Sequence, residues 1–222
     1  MSLQEKLDAF REEVESGGRI PSFVVDKLHK ATEELVASGQ AARAKKAGDR
    51  APTFVLENTD GRTINLPDLL VKGPVALTFY RGVWCPYCNM ELQALEEIRS
   101  DIEARGGQLV AISMQTAENS RRSIRLNKLG FPILIDPRGT IANNYGLRFK
   151  FPDYLIEIYK TVFKNDLAVI NNDPSWSLPM PARYVIGQDG MIAYAEVNPD
   201  YTRRPEPAEL LPVLDRLRAQ AA

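Results

Sequence analysis

The sequence predicts an α/β protein with a central mixed β-sheet flanked by helices and a helical extension at its N-terminus. Three observations lead to this prediction. The chain begins with two segments whose apolar residues have helical spacing. Apolar runs rich in β-forming residues then alternate with helical segments, and an Asp-Gly turn joins two strands near the end. With 44% hydrophobic and 26% charged residues among 222, the chain has the composition of a globular protein and is long enough to bury a sizeable core.

The first 47 residues are predicted to form two amphipathic helices, because apolar residues recur every three or four positions. The first stripe is Leu3, Leu7, Phe10 and Val14, and the second is Val24, Leu28, Ala31 and Leu35. Gly17-Gly18 and Pro21 separate them. We therefore expect an N-terminal helical extension over residues 1–47 and a main domain over residues 48–222.

The main domain is predicted to begin with a hairpin and a β-α-β unit. The hairpin joins residues 51–56 to 63–66 through the turn at 58–61. The unit consists of a buried strand at 74–80, a helix that closes at Gly106-Gly107, and a buried strand at 109–113. This order predicts parallel strands at the centre of the sheet.

The rest of the chain is predicted to complete the sheet. The expected elements are a helix at 117–129 ended by Gly130, a strand at 131–135, a short helix at 140–145, strands at 182–186 and 191–197, and a closing helix at 207–219. Asp189-Gly190 is a strong hairpin signal, so the last two strands should be an antiparallel edge. Residues 147–178 show no clean period, and we expect an irregular insertion with one helix near 154–164.

Composition excludes several classes of function. Lys and Arg number 28 against 29 Asp and Glu, and the resulting formal charge of -1 provides no field for binding nucleic acid or an anionic membrane surface. The chain contains neither an apolar stretch of signal-peptide length at residues 1–10 nor one of membrane-spanning length further on. We therefore predict a cytoplasmic protein.

The two cysteines form a single Cys85-Pro86-Tyr87-Cys88 motif between the buried strand and the long helix. Pro86 suits the first helical position, which places Cys85 at the N-cap. There the free N–H groups and the helix dipole should lower the pKa of its thiol. Cys88 lies one turn further into the helix, close enough for a disulfide and less ionised. We predict that Cys85 attacks and Cys88 resolves.

The neighbours of the cysteines are weaker candidates for the site. Trp84 offers an apolar wall and Arg81 a cation for an anion or polarised oxygen, although either suits plain packing or surface exposure equally well. The segment Asp200-Tyr201-Thr202-Arg203-Arg204-Pro205 either covers the site or forms a charged turn that caps the sheet, and we favour the turn. A zinc site is disfavoured, because the chain has no third cysteine and its single histidine, His29, is expected on a helix surface.

The run Phe-Tyr-Arg-Gly-Val-Trp-Cys-Pro-Tyr-Cys-Asn-Met-Glu-Leu at 79–92 resembles the peroxiredoxin-like branch of the alkyl hydroperoxide reductase and thiol-specific antioxidant family, within the thioredoxin superfamily. Gly-Asp-Arg-Ala-Pro-Thr-Phe at 48–54 is similar to the opening of peroxiredoxins, and Pro-Ala-Arg-Tyr-Val-Ile at 181–186 to their last hairpin. The resemblance covers about residue 48 to the C-terminus. It implies a thioredoxin-like fold and thiol-dependent peroxidase activity.

Two departures from the family pattern bear on substrate binding. The residue three before Cys85 is Gly82 rather than the expected threonine, so Thr78 becomes the nearest candidate for a peroxide-orienting hydroxyl. Pro181 stands where the family has an arginine in the hairpin strand, and it matches the cis-proline of thioredoxins instead. Arg183 lies two positions further on and should point elsewhere. The predicted substrate-binding residues are thus Arg81, Trp84, Thr78 and Pro181.

Three functions fit the sequence. The favoured one is a peroxidase that reduces hydrogen peroxide or organic hydroperoxides, with thioredoxin, glutaredoxin or glutathione as reductant. The second is a thioredoxin- or glutaredoxin-like thiol-disulfide oxidoreductase, because Cys-Pro-Tyr-Cys also occurs in glutaredoxins. The third is a redox-switched binding module without turnover.

No metal, flavin or nucleotide cofactor is predicted, since the phosphate-binding glycine motifs are absent from the sequence. The stripes of the first two helices pack on the chain's own core or on a second chain. Of these we favour the homodimer.

Overall fold

The computed structural model describes residues 1–16 and 18–221. Its helices are α1 (Leu3–Ser16), α2 (Ser22–Ala37), α3 (Leu66–Lys72), α4 (Pro86–Glu97), α5 (Arg99–Ala104), α6 (Ala117–Asn127), α7 (Thr140–Asn144), α8 (Asp153–Thr161), α9 (Leu167–Ile170) and α10 (Leu210–Ala221). Its strands are β1 (Val55–Asn58), β2 (Thr63–Asn65), β3 (Val75–Phe79), β4 (Gln108–Ser113), β5 (Ile133–Ile135), β6 (Arg148–Lys150), β7 (Ser177–Pro179), β8 (Ala182–Ile186) and β9 (Ile192–Val197). Of the predicted break at Gly17-Gly18, Gly17 lies outside the described residues. No helix within these ranges is long and apolar enough to cross a membrane.

Seven strands form the main sheet, in the order β2-β1-β5-β4-β3-β8-β9. Strands β3, β4 and β5 are parallel, while β1 and β2 at one side and β8 and β9 at the other pair antiparallel. All five residues of β3 are buried, as its continuous apolar run predicts for a strand covered on both faces. The predicted mixed sheet flanked by helices is confirmed.

The hairpin of β8 and β9 shows how local sequence sets the sheet edge. The Asp189 carboxylate accepts the Met191 backbone N–H at 2.9 Å, and Gly190 adopts a φ of +78°. An aspartate that bonds its own backbone two residues on, followed by a glycine at positive φ, closes a tight turn. The Asp-Gly prediction is therefore confirmed.

Several elements differ from the sequence prediction. The helix after Cys85 breaks at Ile98 into α4 and α5, and the break turns α5 towards β4 and α10, where Ile102 is buried. Helix α3 was not predicted, and it begins because Asn65 caps it by accepting the Asp68 N–H at 2.8 Å. Helix α6 ends at Lys128, which adopts the left-handed conformation, rather than at Gly130.

The segment 147–178 is more ordered than predicted. It contains the expected helix, α8, and also α9 and a two-stranded sheet of β6 and β7. Its apolar residues lack a clean period because they come from a loop and a helix that pack on the same partner, α2. Val24 of α2 joins Phe151, Tyr159 and Trp176 in one buried cluster. This cluster lies beside the start of α4.

The first two helices bury their stripes within the same chain. Leu3 and Leu7 of α1 join the core that contains Leu92 and Leu95 of α4, while α2 packs on α8. The expectation of a homodimer rested on these stripes needing a second chain. Because their buried residues are covered by their own chain, the stripes do not require a second chain, and the homodimer stays a prediction.

The packing of α1 gives a stability prediction. Leu7 is fully buried, so Leu7→Ala should lower the free energy of unfolding by about 2–5 kcal/mol, measured by urea denaturation. Glu12→Ala, at an exposed position of the same helix, should change it by less than about 0.5 kcal/mol. Equal effects of the two substitutions would contradict a packed α1.

Candidate active site

The loop between β3 and α4 is fixed by one side chain of α4 and one from the segment that follows β4. The Val83 backbone N–H donates to Gln115 Oε1 at 2.7 Å, and Asn89 Nδ2 donates to the Val83 carbonyl at 2.8 Å. The Cys85 backbone N–H donates to the Gly82 carbonyl at 3.0 Å. These bonds leave the loop little freedom, and they deliver Cys85 to the first turn of α4.

Cys85 is the N-cap residue of α4 and Pro86 is its first helical residue, as the sequence predicts. Cys88 follows one turn later, and both cysteines are free thiols. The two thiols interact, because each shifts the pKa of the other. Both sulfurs are deeply buried, since Cys85 is 1% exposed and Cys88 is 0% exposed.

The pKa of Cys85 is lowered to about 6. Burial acts to raise this pKa, but it is outweighed by the Cys88 side-chain hydrogen bond, by the guanidinium groups of Arg81 and Arg204, and by the Cys88 backbone N–H. Cys85 is consequently a thiolate at neutral pH, which is the nucleophilic form of the side chain.

The pKa of Cys88 is raised well above its ordinary value. Burial is the largest cause, followed by the hydrogen bond to Cys85 and the negative charge on Cys85, while Arg204 and Arg81 act in the opposite direction. The two thiols thus differ in ionisation as the sequence predicts, with Cys85 ionised and Cys88 protonated.

Arg81 brings a buried positive charge to the cysteines, and its side chain is 2% exposed. The guanidinium lies over the rings of Tyr201 at 4.2 Å and Trp84 at 4.9 Å, and its Nη2 donates to the Tyr159 hydroxyl at 2.9 Å. Its Nε and Nη1 have no hydrogen-bond partner, and it forms no carboxylate ion pair within the described part of the chain. A buried cation needs compensation, and the Cys85 thiolate supplies negative charge beside it.

Cys85 opens onto a cavity of about 190 Å³. Arg81, Trp84 and Tyr201 form one part of its wall, while Phe10 of α1 and Leu28 of α2 contribute from the N-terminal helices. The cavity is thus mainly aromatic and aliphatic, with Arg81 as its cation and Glu15 as its carboxylate. This volume suits a small molecule, and Cys85 itself is only 1% exposed.

A second buried charge network contacts Cys88, and sequence reasoning missed it. Arg204 Nη2 donates to Cys88 Sγ at 3.6 Å, and Arg204 Nε donates to the Glu91 carboxylate. Arg183 Nη2 donates to the same carboxylate at 2.9 Å. The sequence does contain one indication of this network. Glu91 falls on the buried face of α4 between Cys88 and Leu95, and a buried charge requires a partner.

The segment 200–205 covers the site, so the favoured interpretation of it as a charged turn that caps the sheet was wrong. Tyr201 and Arg204 face inward, and Tyr201 also meets the Tyr87 ring at 5.5 Å between centroids. Arg203 of the same segment stays exposed and pairs with Asp8 and Asp200. Tyr201 can cover the dithiol because its ring stacks on the Arg81 guanidinium, and Arg204 can be buried there because it pairs with the Glu91 carboxylate.

Two predicted residues do not line the cavity at Cys85. Thr78 is fully buried in β3, and its hydroxyl donates to the Ala182 carbonyl at 3.3 Å. Pro181 lines a smaller neighbouring cavity of about 30 Å³ that it shares with Arg81. The structure therefore brings Cys85, Cys88, Arg81 and Trp84 together and leaves Thr78 and Pro181 outside this group.

The match of Pro181 to a cis-proline is also wrong, because every peptide bond in the described residues is trans. Met180 donates its backbone N–H to the Leu147 carbonyl at 2.9 Å and carries the chain from β7 directly into β8. The path is extended, and the trans isomer is the favoured one for such a path.

Gly82 stands where a threonine was expected, and the structure shows why no side chain fits. A Cβ at this position would lie 2.4 Å from Trp84 Nε1 and 3.1 Å from Gln115 Oε1. The close approach of the loop to Trp84 therefore requires glycine.

Potential metal ligands are sparse around these cysteines. Within residues 1–16 and 18–221, no group of three or more His, Cys, Asp or Glu side chains is placed to share a metal ion. His29 is exposed and contacts Glu15 at 2.9 Å.

The fold and the dithiol place the protein in the thioredoxin-like class. Peroxidoxin BcpB of Mycobacterium tuberculosis superposes with a TM-score of 0.60 at 21% identity, over 78% of this chain and 97% of that chain. Peroxiredoxin 6 of Arenicola marina, solved as a cysteine-to-serine mutant, gives a TM-score of 0.60 at 22% identity, over 80% of this chain and 75% of that chain. At these identities the likeness establishes the fold.

The chain belongs to the AhpC/TSA family, which it matches over residues 47–195. Thiol-disulfide oxidoreductase ResA of Halalkalibacterium halodurans is 34% identical over 104 residues, which are 46% of this chain and 58% of that protein. A Mycobacterium tuberculosis protein that carries the name peroxiredoxin is 26% identical over 121 residues, 54% of this chain and 79% of that protein. The chain thus spans just over half the length of the ResA protein.

The electrostatics of Cys85 give a pH prediction. The ultraviolet absorbance of the thiolate should rise with a midpoint near the pKa of about 6, well below the ordinary thiol value. Arg81→Gln and Cys88→Ala should each move the midpoint upward, because the first removes a cation and the second removes a hydrogen-bond donor to the thiolate.

Arg122→Gln is a suitable control, since Arg122 lies on the exposed face of α6. It should leave the midpoint where it is. A wild-type midpoint at the ordinary thiol pKa of about 8.5 would contradict the activated thiolate.

Proposed function

We propose that this protein is a thiol peroxidase that reduces hydrogen peroxide or organic hydroperoxides at Cys85, with Cys88 as the resolving cysteine. The observation that carries the proposal is the enclosed Cys85 thiolate beside the buried cation of Arg81. Family membership and the relatives named as peroxiredoxins support it.

The reaction begins with attack of the Cys85 sulfur on the distal oxygen of the hydroperoxide. An S–O bond forms while the O–O bond breaks, and the alkoxide or hydroxide that leaves takes a proton from solvent. The sulfur is oxidised by two electrons to a sulfenic acid. Arg81 has two unpaired N–H positions beside the thiolate, so it can stabilise negative charge on the departing oxygen.

Resolution then joins the two sulfurs. Cys88 attacks the Cys85 sulfenic acid, an S–S bond forms, the S–O bond breaks, and hydroxide departs as water after protonation. The two cysteines lie one turn apart at the start of α4, which is a spacing that allows this bond. The resulting disulfide requires a thiol reductant, and we propose thioredoxin, glutaredoxin or glutathione for this role; exchange with either protein requires that the Cys85 sulfur become exposed in the disulfide form.

Burial of Cys85 favours a small oxidant. Thiol-disulfide exchange with a protein requires an exposed sulfur that the partner can approach in line. Cys85 is 1% exposed, so a hydroperoxide that enters the cavity has access that a protein disulfide lacks. We infer that residues 1–47 belong to the catalytic unit formed with residues 48–222, because Phe10 and Leu28 help to enclose this cavity.

A second candidate function is thiol-disulfide oxidoreductase activity. The Cys-x-x-Cys spacing and the relatives named ResA favour it. In this case Cys85 would attack a disulfide sulfur, and Cys88 would release the substrate from the mixed disulfide.

Rapid mixing of the reduced protein with hydrogen peroxide or tert-butyl hydroperoxide tests the proposal. Cys85 should react at least about a hundredfold faster than a free thiol of the same pKa, because preorganised charge stabilises the transition state. Cys85→Ser should abolish the reaction. Cys88→Ser should consume one equivalent of peroxide and form no intramolecular disulfide.

The alternatives predict other outcomes in the same assay. Peroxide oxidation at the rate of a free thiol, together with rapid reduction of a mixed disulfide, would establish the oxidoreductase instead. A single stoichiometric oxidation without turnover under any of the three reductants would indicate a redox-switched binding module.

A further inference from the structure

The sulfur of Cys88 has a cation of its own. Arg204 Nη2 donates to Cys88 Sγ at 3.6 Å, and the side chains of both residues are almost completely buried. The residues are 116 positions apart, so the contact depends on the segment that follows β9. Arg81, by contrast, is caged by aromatic rings beside Cys85.

The guanidinium of Arg204 is held in one orientation. Its Nη1 donates to the Tyr201 carbonyl at 2.8 Å and to the Arg203 carbonyl at 2.6 Å, while its Nε donates to Glu91. These bonds leave Nη2 facing Cys88. A fixed donor stabilises developing charge without the cost of reorganisation.

Helix α1 supports this orientation from the other side. The Arg204 backbone N–H donates to Gln4 Oε1 at 2.9 Å, and the Leu3 backbone N–H donates to Glu206 Oε1 at 2.7 Å. The segment that carries Arg204 is therefore bonded to the first turn of α1 at Arg204 and at Glu206.

The balance of charge at Cys88 changes when Cys85 is oxidised. In the reduced protein burial raises the pKa of Cys88 most, and the hydrogen bond and negative charge of Cys85 raise it further. A sulfenic acid at Cys85 carries no thiolate charge. Two of the three causes that keep Cys88 protonated are then removed or weakened, whereas the attraction of Arg204 remains.

The charged and titratable groups that act on Cys88 come from several elements. They are Cys85, Arg81, Arg204, Tyr80 and Tyr159. Burial raises the pKa of both tyrosines, so they are neutral in the pH range of interest. Arg204 and Arg81 are then the positive charges that face Cys88 once Cys85 is oxidised, and the Glu91 carboxylate in the same network is paired with Arg204 and Arg183.

We propose that Arg204 is a catalytic residue that stabilises Cys88 as a thiolate, both when Cys88 attacks oxidised Cys85 and when it leaves during reduction of the disulfide. The first role rests on the proposed peroxidase function. The second requires only that the two cysteines form a disulfide.

The reduction step balances as thiol exchange with a small thiol. A thiolate of the reductant attacks Cys85 Sγ, a new S–S bond forms, the Cys85–Cys88 bond breaks, and its electron pair leaves on Cys88 as a thiolate beside Arg204. A second reductant thiolate attacks the reductant sulfur of the mixed disulfide and releases Cys85. The protein disulfide gains two electrons, and the two reductant thiols become one reductant disulfide.

The first test measures how the sulfenic acid of the unaltered protein converts to disulfide as a function of pH, after one equivalent of hydrogen peroxide. If Arg204 stabilises the attacking thiolate, the rate should reach half its maximum below the ordinary thiol pKa of about 8.5. A half-maximum above that pH overturns this role, and the result needs no substitution that could unfold the protein.

The second test compares Arg204→Gln, Arg204→Lys and Arg203→Gln. Arg204→Gln should slow disulfide formation at least about tenfold at neutral pH and move its pH profile upward by about one unit. Arg204→Lys should recover most of the rate because it keeps the charge. Arg203→Gln, at the exposed neighbouring position, should match the wild type. Equal rates and pH profiles in Arg204→Gln and the wild type overturn the proposal.

A third measurement separates this proposal from the peroxidase function. The disulfide is made with diamide, without peroxide, and its reduction by dithiothreitol is followed. Slower reduction in Arg204→Gln, but not in Arg203→Gln, supports Arg204 even if Cys85 reacts slowly with hydroperoxides. Unchanged reduction in folded Arg204→Gln overturns the leaving-group role even if peroxidase activity is established.

Discussion

The compensation of buried positive charge by the Cys85 thiolate is the interaction on which the rest of this site depends. Arg81 is 2% exposed and forms no ion pair with a carboxylate among the described residues, so the protein must supply negative charge nearby. The sulfur at the start of α4 does so. The attraction between Arg81 and the thiolate also lowers the pKa of Cys85. The interaction that compensates the buried arginine therefore also makes the cysteine more reactive.

The site uses two cations with different partners. Aromatic rings surround Arg81, whereas Arg204 shares the carboxylate of Glu91 with Arg183. Three guanidinium groups and one carboxylate therefore carry the fixed charge, and the reduced thiolate offsets part of the excess. This distribution stabilises the reduced form, because any reaction that neutralises Cys85 leaves the arginines less compensated.

The sequence predicted the sheet and the position of the dithiol because both follow from local rules. Continuous apolar runs identify strands covered on both faces, as in β3, and a proline after Cys85 identifies the start of a helix. The partners of the sulfurs could not be found in this way. Arg204 meets Cys88 only after the chain has completed β9, and no spacing rule joins residues so far apart in sequence. Thr78 was chosen for its nearness in sequence and Pro181 for its match to a family pattern, and neither criterion gives the direction of a side chain.

The glycine at position 82 constrains how this kind of site can be altered. A hydroxyl-bearing residue three positions before Cys85 would collide with the indole of Trp84, which packs against Tyr159. A point substitution cannot therefore convert this loop into one that presents a threonine to the sulfur. Such a conversion requires a longer loop that carries the backbone away from the indole, so the two loop designs are separated by an insertion of residues rather than by a single codon change.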